Sequence, residues 1–275
     1  MYPPAAGSVA GVDLDRMRAL ARTAALAGAE VVREGRPPAE GEAKGPPGDW
    51  VTDVDVAAEA AVAEALRTGA PEIAIQGEES GGATTGLRWV VDPLDGTTNF
   101  LHGFWAVAVS VALVEEQTPL AAAIVAPLLG DVWTAAAGAG AIWERPGREP
   151  APARISERPV ERAVVGTGFP FRRKDRVPRY LRAFEVALQR FEDLRRPGAA
   201  CLDLAWVACG IFEGFFELGL APWDVAAGGL LIAEAGGAVT DWDGGPGYLS
   251  GDIVAGTPAV HDELLRIARY SASEA

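Results

Sequence analysis

Apolar positions recur at helical spacing from Asp13 to Glu34, with Asp13 or Asp15 placed to open the helix and Gly35, Pro37 and Pro38 placed to stop it. A Pro/Gly-rich loop follows through Gly48, and Asp55–Arg67 again has helical composition. The period then shortens. Glu72–Gln76 and Leu87–Val91 read as short β-type runs, each delivering acidic residues at its C-terminal end, where ligands gather in α/β sheets. From Trp105 to Trp143 the chain is rich in Val, Ala, Trp and Ile and is broken at Gln117, Pro119 and Gly130-Asp131, which predicts a meander of antiparallel strands.

Alternation returns in the second half. The pattern predicts strands at Val164–Gly166, Ile211–Glu217 and Asp252–Ala255, and helices at Val177–Arg190, Ala199–Cys209, Val225–Ala235 and Pro258–Arg269. There is no internal repeat. The segment Leu120–Trp143 is long and apolar enough to raise a membrane span, but it holds Pro127, Asp131 and glycines, and its Val, Ile, Trp and Thr content suits strands. The order of elements supports α/β or α+β.

Composition narrows the chemistry. With 275 residues, 49% hydrophobic and 23% charged, the chain can build a core without staples. Its net charge of −14 makes nucleic acid and anionic membrane poor partners, so an anionic substrate would need local positive charge from clustered Arg or Lys or from a bound metal. Cys201 and Cys209 stand eight residues apart on a predicted helix, about 12 Å along its axis and beyond disulfide reach, so they read as buried apolar groups in a reducing compartment. His102 and His261 are too few for a His/Cys zinc site, so any metal should be held by oxygen. Met1–Gly11 has neither the basic nor the apolar region of a signal peptide, and the expected location is the cytoplasm.

The densest chemical signal is Trp89-Val-Val-Asp92-Pro93-Leu94-Asp95-Gly96-Thr97-Thr98-Asn99-Phe100. A hydrophobic strand ends there in two aspartates around a rigid proline, and Gly96 and Thr97 would open a helical turn whose free N–H groups can cradle an anion. Alone, such a pair would merely cap a turn. Gly77-Glu78-Glu79-Ser80 ends another β-type run, and Ala221-Pro-Trp-Asp224-Val-Ala-Ala-Gly228 sets an aspartate at a helix start, ordinarily an N-cap position. Converging carboxylates of this kind suit Mg²⁺, a hard cation that prefers oxygen and can polarise a phosphoryl group.

These three blocks, with Asp92-Pro-Leu-Asp-Gly-Thr-Thr-Asn-Phe-Leu-His102 as the longest, resemble the signature blocks of the inositol monophosphatase family in order and spacing. The resemblance extends to Lys44, Asp49-Trp-Val-Thr-Asp-Val-Asp55, Gly166-Thr-Gly-Phe-Pro-Phe171 and Gly214-Phe-Phe-Glu217, and so spans nearly the whole chain. It implies a layered α/β sandwich of the sugar-phosphatase type. Residues 1–150 would form an N-terminal α+β part with most metal ligands, and residues 151–275 a C-terminal α/β part supplying Asp224 and the substrate pocket.

Carried over residue by residue, the resemblance makes Glu78, Asp92 and the Leu94 carbonyl ligands of a first Mg²⁺, and Asp92, Asp95 and Asp224 ligands of a second; Glu78, with Glu79 nearby, would share a third, weaker ion. Thr97, hydrogen-bonded to Asp55, would position the attacking water, and the Gly96 and Thr97 N–H groups would hold phosphate oxygens. Glu217 would bind a polyol hydroxyl, with the backbone of Ala199 and Ala200 lining the same pocket. The implied reaction is in-line attack of metal-activated water on a phosphate monoester, with lithium sensitivity and a homodimer expected. Inositol 1-phosphate is the nearest substrate; fructose 1,6-bisphosphate, histidinol phosphate, 3′-phosphoadenosine 5′-phosphate and NADP are alternatives, and a non-catalytic binding protein on the same fold is an alternative of another class.

Other features read more blandly. Arg195-Arg196-Pro197-Gly198 departs from the family pattern by placing proline where serine is frequent, near the substrate entrance. Arg172, Arg173, Lys174, Arg176, Arg179 and Arg182 form a basic cluster, either a solvated helix face or a steering patch. Gly138-Ala-Gly140 lacks the third glycine of a dinucleotide fingerprint.

Overall fold

The computed structural model describes residues 11–37, 41–44 and 50–273, so all but Gly11 of the leader reading, most of the loop before Gly48, and Asp49 lie outside the described residues. Helix α1 (Leu14–Glu34) starts where its polar signal placed it: Oδ1 of Asp13 accepts the N–H of Arg16 at 3.1 Å. One face of it is buried, through Met17, Ala21, Ala24, Ala25, Ala29 and Val32. A short ribbon of β1 (Glu42–Ala43) and β2 (Trp50–Val51) leads into α2 (Asp53–Gly69), whose N-cap Thr52 and Asp55 bond reciprocally in a capping box. A Cβ on Gly28 would come within 2.7 Å of Val62, so the two helices can touch closely only because that residue is glycine.

The larger sheet contains β3 (Ala74–Gly77), β4 (Gly81–Gly82), β5 (Leu87–Asp95), β6 (Ala108–Glu115), β7 (Thr118–Ala126), β8 (Asp131–Ala136), β9 (Ala141–Glu144) and β10 (Ala151–Pro152). The order is β10-β9-β8-β7-β6-β5-β3-β4, and only β3 and β5 run parallel. The meander expected between Trp105 and Trp143 is β6 to β9.

The smaller sheet holds β11 (Val164–Thr167), β12 (Asp193–Arg195), β13 (Gly214–Glu217), β14 (Ala238–Thr240) and β15 (Ile253–Gly256) in the order β12-β11-β13-β15-β14. Between and around these strands lie α3 (Thr97–Leu101), α4 (Val177–Arg190), α5 (Ala200–Ala208), α6 (Pro222–Glu234) and α7 (Pro258–Ser273).

Period-two alternation sorts the strands between cores. Val109, Val111 and Leu113 of β6 pack with α1 and α2, whereas Ala108, Ala112 and Val114 face the other way, toward α5 and α6. Phe215, Ile253 and Ala255 of the smaller sheet close that middle core from its far side, and Phe216 and Val254 pack with α4 and α7. The result is a five-layer sandwich, helix-sheet-helix-sheet-helix. Both faces of the large sheet are covered, which explains why β7 is buried almost throughout rather than alternating. Helices α5 and α6, held between two sheets, are apolar on nearly every side, Asp203, Asp224 and Glu234 being the exceptions. No helix among the described residues is long and apolar enough to cross a membrane.

Candidate metal centre

Asp92 and Asp95 are three residues apart, and in a regular strand an odd spacing sends side chains to opposite faces. The pairing of β5 with β6 resolves this. Asp92 pairs with Ser110 and Asp95 with Ala108, three residues on one strand against two on the other. The extra residue makes a bulge at Pro93-Leu94, where a proline without an N–H is tolerated, and it turns both aspartates toward the middle layer. The N–H of Leu94 donates to Oδ1 of Asp92 at 3.0 Å.

The middle helices meet them there. The N–H of Cys201, in the first turn of α5, donates to Oδ2 of Asp95 at 2.6 Å. Asp224 differs from the N-cap reading: the helix begins at Pro222, Ala221 is the N-cap, and Asp224 is the third helical residue. Its Oδ2 accepts the N–H of Ala221 at 2.7 Å, half of a capping box, which fixes the carboxyl and leaves its other oxygen for the cleft. Glu78 follows β3, with its N–H donating to the Val91 carbonyl at 3.1 Å. Its carboxylate and that of Glu79 accept from Nζ of Lys44 at 3.0 and 2.5 Å. Desolvation acts to lower Lys44, but the two carboxylates outweigh it and hold the ammonium above its ordinary value.

Thr97 opens α3 behind Gly96, whose φ of 89° is a glycine conformation and whose Cβ, if present, would lie 2.9 Å from the Ala106 carbonyl. The Thr97 hydroxyl reaches Oδ1 of Asp55 at 2.9 Å and the Leu94 carbonyl at 3.2 Å. One hydroxyl hydrogen serves one acceptor at a time, and the carboxylate is the stronger.

Glu78, Asp92, Asp95, Gly96, Thr97 and Asp224 share one cleft of about 620 Å³, lined also by Ala199, Ala200 and Glu217. A Cβ at Gly168 would lie 2.1 Å from a Glu217 carboxylate oxygen, so the glycine makes room for that side chain. Burial, and then repulsion from Glu78, Asp95 and Asp224, pushes Asp92 well above the ordinary carboxylate range. Burial and Asp224 push Asp95 up to about 7, burial and Glu78 push Asp224 up to about 6, and burial and Asp224 push Glu217 up to about 8. Asp55 is also raised, by burial. Converging acids that repel one another in a buried cleft are what a cation relieves. Donor atoms of Asp92, Asp95 and Cys201 lie within 4.8 Å of one another. Burial, then Asp95, holds the Cys201 thiol well above its ordinary value, so it remains a thiol and the anionic donors are oxygen. Hard oxygen donors fit Mg²⁺ better than zinc or copper.

Asp203 and Glu59 escaped the sequence reading. Asp203 lines the cleft, buried on the otherwise apolar α5, with Oδ1 lacking a hydrogen-bond partner. Glu59 accepts the N–H groups of Glu79 and Ser80. The Arg196 guanidinium lies over Phe169 and Phe171, 5.5 and 5.3 Å from the ring centres. Of the basic cluster, Arg172 and Lys174 line the cleft, while Arg176 pairs with Asp252, Arg182 donates to the Ser271 carbonyl and Arg179 lies over Trp242. Pro197 keeps a structural part: its carbonyl accepts from Nδ2 of Asn99 at 2.9 Å.

Comparison with known proteins agrees with this architecture. A model of the inositol monophosphatase family matches residues 13–273. Nus factor SuhB of Escherichia coli is 41% identical over 231 residues, covering 82% of this chain and 85% of that protein. The structure of extragenic suppressor protein suhB from Bartonella henselae is similar with a TM-score of 0.83 at 34% identity, over 93% of this chain and 98% of that one. Inositol monophosphatase from an Anabaena (Nostoc) species gives 0.79 at 34% identity, over 94% and 97%. Sheet order, layers and these matches agree, and the chain belongs to the inositol monophosphatase family.

Proposed function

We propose that this chain is a Mg²⁺-dependent phosphomonoesterase acting on a polyol phosphate of the inositol 1-phosphate kind. The observation that carries the reading is the β5 bulge, which turns Asp92 and Asp95 onto the face where Asp224 and Glu78 converge. Glu78, Asp92 and the Leu94 carbonyl would hold one ion, Asp92, Asp95 and Asp224 a second, and Glu78 with Glu79 a third. Bound magnesium supplies positive charge for the phosphoryl oxygens and the leaving alkoxide.

The chain's own residues do the rest. Because the Thr97 hydroxyl gives its hydrogen to Asp55, its lone pairs can accept from a water and aim it at phosphorus. The N–H groups of Gly96 and Thr97 hold phosphate oxygens, and Glu217 with the Ala200 backbone holds the polyol. In this reading residues 1–150 bring most of the metal ligands and residues 151–275 bring Asp224 and the leaving-group side. A homodimer and a cytoplasmic location belong to the same proposal.

Similarity to Nus factor SuhB of Escherichia coli favours a second reading, in which this chain acts as a Nus factor through a binding partner. The two separate cleanly. A panel of myo-inositol 1-phosphate, fructose 1,6-bisphosphate, histidinol phosphate, 3′-phosphoadenosine 5′-phosphate and NADP, assayed for kcat/KM with and without Mg²⁺, should single out the polyol phosphate. No Mg²⁺-dependent turnover on any of them, with a stoichiometric partner retained by Asp92→Asn, would favour the second reading.

A further inference from the structure

The buried face of α2 carries two carboxylates four residues apart, Asp55 and Glu59, among Ala58, Val62 and Leu66. Asp55 is accounted for by Thr97 and by the capping box. Glu59 is 6% exposed, and its two oxygens accept the N–H groups of Glu79 and Ser80, each at 2.8 Å. Burying a carboxylate is costly unless its oxygens are satisfied, and here two charge-assisted bonds satisfy them.

Those bonds fall on the segment that carries Glu78. On its other side the N–H of Glu78 itself donates to the Val91 carbonyl, one residue before Asp92. The segment is therefore gripped from two directions, at Glu78 by β5 and at Glu79 and Ser80 by α2. Gly77 completes the arrangement, since a Cβ there would lie 2.5 Å from the Glu59 carboxyl carbon.

We propose that Glu59 is a positioning residue: it fixes the Gly77–Ser80 segment so that the Glu78 carboxylate meets Asp92, and thereby sets the affinity of the cluster for divalent cation. This rests on the reading of the cluster as a metal centre. Helix α2 then orients two different parts of the site from one buried face, Thr97 through Asp55 and Glu78 through Glu59.

The test is Mn²⁺ binding to the full chain, followed by loss of the free-ion signal in electron paramagnetic resonance, beside melting temperature. Glu59→Gln keeps the size but sets an N–H donor against a backbone N–H, and the Mn²⁺ dissociation constant should rise about 10- to 100-fold, as for other outer-shell partners of metal ligands. Gly77→Ala presses on the same carboxylate from the other side and should give a loss of similar size; if Glu59→Gln does not fold, it decides alone.

Glu213→Gln serves as the structural control, because Glu213 is fully buried and accepts the N–H of Val164 outside the cleft. It should lower the melting temperature and leave Mn²⁺ binding unchanged. Wild-type affinity in Glu59→Gln and Gly77→Ala beside weakened binding in Glu78→Gln overturns the positioning role and leaves the metal centre standing. Equal affinity in wild type, Glu59→Gln and Glu78→Gln overturns the metal centre and the positioning role with it.

Discussion

The hydroxyl of Thr97 donates to Oδ1 of Asp55 at 2.9 Å, joining the start of α3 to the buried face of α2 across 42 residues of sequence. Asp55 is held in turn by the N–H and hydroxyl of Thr52, at 2.8 and 2.5 Å. The threonine is thus oriented by a side chain that cannot itself rotate away.

If that orientation aims the attacking water, Thr97→Val and Asp55→Asn should each lower kcat by about 10²- to 10⁴-fold with KM nearly unchanged, the range for a positioned proton-handling group. Thr97→Ser should retain most of the rate. A raised KM with intact kcat in Thr97→Val would instead mean that the hydroxyl only helps to bind substrate.

Stability of the metal-free protein should fall as pH rises. Burial raises Asp95 to about 7, Asp224 to about 6 and Glu217 to about 8, and raises Asp92 well above the ordinary carboxylate range. A folded carboxyl with a raised value binds its proton more tightly than the unfolded one, so its contribution is present below about pH 4 and is lost as pH climbs through the folded values. Thermal unfolding in chelator should therefore give a higher midpoint at pH 5.5 than at pH 8. Asp95→Asn should flatten the profile, and Mg²⁺ should raise the midpoint more at pH 8 than at pH 5.5. Identical profiles for wild type and Asp95→Asn would contradict this account of the cluster.

Much of this was legible in the sequence, for physical reasons that can be named. The α4 boundaries, Val177 and Arg190, agree with the periodic pattern because that helix has one apolar face and proline in its first turn. The strands β12 and β14 were not legible: three residues each, they are too short to show a period. Helix α6 starts three residues before the expected Val225 because Pro222 and Asp224 belong to its first turn rather than stopping or capping it. The motif brought Asp92 and Asp95 forward, but their common direction depends on a bulge that only pairing with β6 creates. Glu59 could have been found, since it follows Asp55 by one helical turn on a face otherwise apolar. Asp203 gave no such signal, being one acid in a helix buried on every side.

Substrate selectivity should depend on Glu217 and on the glycine that admits it. Glu217→Gln and Gly168→Ala, the latter filling space where the carboxylate lies, should each lower kcat/KM for myo-inositol 1-phosphate by about tenfold or more, the worth of a hydrogen bond to a charged group. p-Nitrophenyl phosphate, which has no polyol hydroxyls, should lose much less. Equal losses on both substrates would place Glu217 in the metal centre instead of the leaving-group pocket.

Packing of the middle layer should be equally strict. A Cβ on Gly228 would stand 2.4 Å from that of Leu204, so Gly228→Ala must push α6 away from α5. A cost of about 1–3 kcal/mol in urea unfolding is expected, with weakened metal binding because these helices carry Asp224 and the N–H that holds Asp95. An unchanged midpoint would show that the layer yields more easily than this geometry allows.

The most direct test of the central claim is phosphate release from myo-inositol 1-phosphate, wild type beside Asp95→Asn, with and without Mg²⁺. The account predicts release that requires Mg²⁺ and is lost in the variant. Release by wild type that persists in full without divalent cation, or that Asp95→Asn leaves unchanged, would contradict it.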